Sequence, residues 1–223
     1  MASSGLNIRQ LILVPAILTL GVTILRLVGE LNDWAPVLFS REAGGGAAIV
    51  GISWLPIFFG VFFGLKLASA GHGPESGWKS AGYSLLALVV IAVVGIGATM
   101  VAGGSLLAQL VGGAVGSLLA LFVLSKGWSE MFQTILAYAL AARIPVVIVM
   151  LVAILGNWGT HYDVLPPGAP AMDGFVKWLV IGVVPQMTFW IAYTVLVGNL
   201  FGSVAVALAG KTGKSTKQAA QTA

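Results

Sequence analysis

MFQTILAYALAARIPVVIVMLVAIL, residues 131–155, is a run of 25 residues whose only charged side chain is Arg143. As a helix it would be roughly 37 Å long at 1.5 Å per residue, more than the ~30 Å hydrocarbon core of a bilayer. A continuous apolar run of this length reads as a membrane span. The same reading extends to both sides. Apolar runs cover 11–29, 47–70, 81–102 and 105–124, the last two separated only by Gly103-Gly104, a tight hairpin. A sixth opens at Phe175 and continues to Ala209, too long for one simple span and too short for two. We take it as a span over 175–197 with an extension to 209, and with Gly198-Asn199 as a break or exit. The short re-entrant alternative also fits. The expected fold is therefore all-α: a single polytopic transmembrane bundle of about six spans over residues 1–210.

Composition agrees. Hydrophobic residues make up 58% of the 223 and charged residues only 8%, against roughly a quarter in an ordinary soluble domain. Eighteen charged side chains cannot coat a soluble surface of this size. The 30 glycines fit helices packed backbone to backbone in lipid. Arg9 precedes the first run, which is too long for a signal peptide and lacks a small-residue cleavage pattern, so it reads as a retained span. Segment 211–223, rich in Lys, Thr, Gln and Ala, has nothing to bury and reads as a disordered basic cytoplasmic tail.

Lysine and arginine placement orients the chain. With the N-terminus inside, Arg9, Lys66, Lys79, Lys126, Lys211, Lys214 and Lys217 fall on the cytoplasmic side, and only Arg26, Arg41 and Lys177 outside. Seven against three predicts both termini in the cytoplasm. The expected location is a cell membrane, such as a bacterial inner membrane, crossed several times.

Arg143 is the residue that needs explaining. It lies 12 positions after Met131, roughly 18 Å from either end of its run at 1.5 Å per residue. A charge at that depth must face protein, water or ligand. Its own helical stripe (Phe132, Leu136, Ala139, Val147, Met150) is apolar, and no other span carries a carboxylate at matching depth. Gln186, entering from the opposite side in the sixth span, is the best-placed acceptor. Together with Trp190 and Tyr193 at i, i+4 and i+7 it forms a polar-aromatic stripe on one helical face. Carbonyls freed by Pro145 are further candidate partners. Packing with internal hydrogen bonds is one account of this group; an anion or anionic headgroup held by Arg143, Gln186, Trp190 and Tyr193 is the other.

Small-residue ladders mark helix contacts: Gly60 and Gly64, then Gly104, Gly112 and Gly116, then Gly198 and Gly202, each four residues apart or a multiple of four. Arg26 and Glu30, one turn apart at an outer helix end, read as a local interfacial pair. His161 and Asp163 with Glu30 or Glu42 make only a weak metal pattern, short of the three or four converging ligands zinc requires, so no metal is expected. His72 and His161 fall on opposite sides and are expected to be dispensable.

The absences are as informative. Without cysteine there are no disulfides, thiolate metal sites or cysteine nucleophiles. There is no HExxH, phosphate-cradling glycine loop or intramembrane carboxylate pair. The reading leans away from an enzyme, names no catalytic residue or cofactor, and gives no case for nucleic acid. Two functions remain. One is a non-catalytic bundle that binds or transports an anionic small molecule or lipid on its buried arginine. The other is a structural subunit or assembly factor docking through glycine-rich faces onto copies of itself or partner membrane subunits.

Overall fold

The computed structural model describes residues 7–46, 48–101 and 105–210, among which every long element is a helix and none is a strand. These are α1 (Ile8–Leu31), α2 (Leu55–Ser69), α3 (Gly77–Val101), α4 (Leu106–Ser125), α5 (Ser129–Gly156) and α6 (Gly174–Leu208). All except α2 are long and apolar enough to cross a membrane. Caps fall where the sequence supplies them. The side chains of Asn7, Ser105 and Asp173 accept backbone N–H bonds in the first turns of α1, α4 and α6, and Asn157 closes α5 in the left-handed conformation. Large apolar side chains such as Val93, Ile96, Met100 and Leu107 stand outward, as they would towards acyl chains.

The C-terminal half of α6 is the centre of the bundle, packed against α2, α3, α4 and α5, while α1 lies chiefly against α5. Phe63, Leu124, Met131, Ile135, Tyr138, Val195 and Val206 are buried around it. Small residues let the backbones approach. A Cβ added to Gly60 would stand 2.7 Å from the Gly198 Cα, and one on Gly64 would stand 2.8 Å from the Gly202 carbonyl oxygen. Gly112 and Gly116 face Ala98 and Val94 of α3. Gly60→Ala is accordingly expected to cost about 1–3 kcal/mol through overpacking. Gly113→Ala, whose Cβ would meet nothing within 4 Å, should be neutral or slightly stabilising. Thermal unfolding of both variants in one detergent checks the contrast.

Two boundaries differ from the sequence reading. The second apolar run is not helical from its start: 48–54 is irregular, and α2 has only 15 residues, roughly 22 Å at 1.5 Å per residue. Pro56 sits in its first turn, where its fixed φ starts a helix and its missing N–H costs nothing. The irregular stretch has its own task, since the Val50 carbonyl accepts from Arg26. In α6 there is no break in the helix at Gly198-Asn199. Both are buried inside a regular helix that runs on to Leu208, where Gly198 admits α2 and Asn199 donates to the Val195 carbonyl. The irregularity comes earlier, as a π turn at Trp178–Val183 and a distorted Thr188 (φ −115°, ψ −81°) on either side of Pro185. Proline removes one N–H and crowds the carbonyl four residues back, so the helix widens there. Gly103-Gly104, Ala47 and the 211–223 tail lie outside the described residues.

Candidate functional site

A cavity of about 310 Å³ opens among the loops at one end of the bundle, the end carrying 32–54 and 157–173, and reaches down to Arg143, Gln186 and Trp190. Arg143 is the fifteenth of 28 residues in α5, so it stands roughly 20 Å from the helix end at Gly156. It is 4% exposed. Its Nη1 donates to Gln186 Oε1 at 3.4 Å and its Nη2 to Thr194 Oγ1 at 3.3 Å, both long bonds to neutral acceptors. The guanidinium lies over the Trp190 ring, its Cζ 4.9 Å from the ring centre. The Nε proton has no partner, and Arg143 takes part in no ion pair among the described residues.

The site thus brings together Arg143, Gln186 and Trp190, with Thr194 in place of Tyr193. Tyr193 packs edge-on to Trp190 and stacks on Phe189, and does not line the cavity. Thr194 donates its own hydroxyl to the Trp190 carbonyl, which leaves an oxygen lone pair for Arg143. It sits on the same stripe at i+8 from Gln186, a position as legible as i+7. No carbonyl freed by Pro145 bonds to Arg143.

Sequence reasoning missed a second polar group at the cavity mouth. Arg26 and Glu30 do pair one turn apart, as the sequence suggested, but the pair is enclosed: they are 5% and 0% exposed. Arg26 Nε pairs with Glu30 Oε1, Nη1 donates to the Val50 carbonyl at 2.6 Å, and Nη2 donates to the carbonyls of Ser40 (2.7 Å) and Gly45 (2.9 Å). Glu30 in turn accepts from the His161 backbone N–H at 2.9 Å and meets its ring Nδ1 at 2.5 Å. The charge pair therefore ties the 40–50 loop and the 157–163 loop to the end of α1. A signal existed in the sequence: Thr19, Thr23, Arg26 and Glu30 recur on one face of an otherwise apolar span. Thr19 bonds Tyr138 across to α5, and the Thr23 carbonyl accepts from Tyr162.

His161 is consequently not an idle residue. Its Nδ1 faces Glu30, and Asp163 caps its own loop through the N–H groups of Gly159 and Thr160, so the two are not aimed at a shared ion. Burial pushes the His161 pKa below its ordinary 6.5, and repulsion from Arg26 adds to this; attraction from Glu30 and Asp163 opposes it without prevailing. A depressed folded-state pKa means that the folded chain resists protonation. The stability held at this site is complete above 6.5 and is lost as pH falls through the lower folded value. Tm is expected to fall on acidification below about 6.5 more steeply in the wild type than in His161→Gln, as read by thermal unfolding across a pH series.

Among the described residues no three metal-ligating side chains cluster. What the arrangement offers is a desolvated cation with spare donors. The five long apolar helices and the composition define a multi-pass integral membrane protein. No known protein family matches the chain, nor does any curated protein or solved structure.

Proposed function

We propose that this chain is a six-span, non-catalytic membrane protein, both termini cytoplasmic, that holds an anionic small molecule or lipid-like ligand on Arg143 for binding or transport. One observation carries the reading: a guanidinium 4% exposed lines a cavity, has no carboxylate partner among the described residues, and keeps its Nε proton unbonded. A lone buried charge is costly, and a bound anion relieves that cost. The alternative, a structural subunit docking through glycine-rich faces, has less to rest on, because the described glycines of those faces lie against the chain's own helices.

The six-span topology rests on the lysine and arginine count and on α2 completing its crossing with the irregular 48–54 stretch, where the Val50 carbonyl is held by Arg26. Single cysteines at Ala171 and Ala70 test it, the chain having none of its own. A membrane-impermeant thiol reagent applied to intact cells should label Ala171→Cys and leave Ala70→Cys untouched; the reverse pattern overturns the orientation. For the ligand, mass spectrometry of organic extracts from purified wild type and Arg143→Gln should find an anionic compound only in the wild type. The same compound in both preparations removes Arg143 as its anchor.

A further inference from the structure

We infer that the ligand is a monovalent organic carboxylate with a short apolar body, its carboxylate on the edge of the Arg143 guanidinium and its body along the wall formed by Met150 and Ile181. This rests on Arg143 being the anion anchor and goes on to name the chemistry that fits it.

Charge balance comes first. The charged or titratable side chains on the cavity wall are Arg26, Arg143, His161 and the phenol Tyr162. Arg26 is already neutralised by Glu30 and bonded to three carbonyls, and His161 is turned towards the same carboxylate. Of these, only the charge of Arg143 is left without a counter-ion among the described residues. In a desolvated site, one unbalanced positive charge is matched by one negative charge. A dianionic phosphate would replace one excess charge by another.

Geometry narrows the class further. The guanidinium lies over the Trp190 ring, its Cζ 4.9 Å from the ring centre, and its N–H edge is where an anion would bond. There the Nε proton is unpartnered, and the Nη bonds, at 3.3 and 3.4 Å to neutral oxygens, are long enough to be exchanged for better ones. A planar carboxylate meets a guanidinium edge through two parallel bonds. The walls above are apolar, built from Ile52, Leu106, Leu110, Val146, Met150 and Ile181. The volume, about 310 Å³, stands at the bottom of the range for small-molecule sites, which suits one ring or a short chain and not a lipid with two acyl tails.

The test is thermal unfolding of the full chain in detergent with benzoate, hexanoate, phenyl phosphate, benzyl alcohol or phosphatidylglycerol. Benzoate or hexanoate should raise Tm by about 5–10 °C at a hundredfold excess over Kd. Phenyl phosphate, benzyl alcohol and phosphatidylglycerol should leave it unchanged. The shift should vanish in Arg143→Gln and also in Ile181→Trp, which fills the wall and keeps the charge. An Arg143-dependent shift from phenyl phosphate or phosphatidylglycerol overturns the carboxylate class while leaving the anion anchor standing. A shift from no anion, or one that persists in Arg143→Gln, overturns both.

Discussion

Replacing Glu30 by alanine is expected to destabilise the fold by about 3–5 kcal/mol, because it strands Arg26 as an uncompensated buried charge. The carboxylate is fully enclosed and meets three groups: Arg26 one turn earlier on its own helix, and the backbone N–H and the ring of His161 in the 157–163 loop. Removing it also releases the 157–163 loop from α1. For a chain of this size the loss corresponds to a fall in Tm of about 6–20 °C. Asp33→Ala is the control. Asp33 pairs with Arg41 at 3.0 Å, but its side chain is 78% exposed, so its loss should cost no more than about 1 kcal/mol. The double replacement Arg26→Met, Glu30→Leu should recover only part of the Glu30→Ala loss, since it removes the stranded charge but leaves the Ser40, Gly45 and Val50 carbonyls without their donor. Equal Tm for Glu30→Ala and Asp33→Ala would show that the enclosed pair is not what ties the loops down.

The second large effect is at Arg143, and its direction is opposite for stability. Arg143→Gln should fold as well as the wild type or better, because it removes a buried charge whose only hydrogen-bond partners among the described residues are the neutral Gln186 and Thr194. Ligand binding should fall at least about 30-fold, the low end of what truncating a buried charge pair costs. Arg143→Lys should restore only part, since an ammonium point charge cannot reproduce a two-pronged edge. Thermal stability and ligand retention on the same detergent preparations separate the two roles. If Arg143 is purely architectural, the glutamine variant loses stability or yield while each folded molecule retains its ligand. Undiminished stability together with undiminished binding would defeat both accounts.

The contrast between Glu30 and Arg143 shows how each was read in the sequence. Arg143 could be found by counting, because its depth depends only on helix rise and on the length of its own apolar run. Gln186 could be matched to it by the same arithmetic from the other side. Arg26 and Glu30 sit within five residues of the end of α1 at Leu31, where counting places a charge near the water boundary. What buries them is closure by loops distant in sequence: Ser40, Gly45 and Val50 on one side and His161, 131 residues after Glu30, on the other.

The sequence alone therefore determined what is local and periodic: the all-helical class, the long apolar helices, a mid-bundle arginine, and the close approach at Gly60 and Gly64. Tertiary structure decided which surfaces meet. It chose Thr194 over its neighbour Tyr193, because a helix face a hundred degrees wide admits both and only the crossing of α5 with α6 selects one. It kept α6 regular through Gly198, whose missing side chain lets α2 approach, and put the distortion at Pro185, which cannot supply a helical hydrogen bond. It also kept 48–54 out of the helix so that the Val50 carbonyl could face Arg26. Burying a charge requires donors and acceptors gathered from several segments, and that gathering is a property of packing which no single stretch of residues encodes.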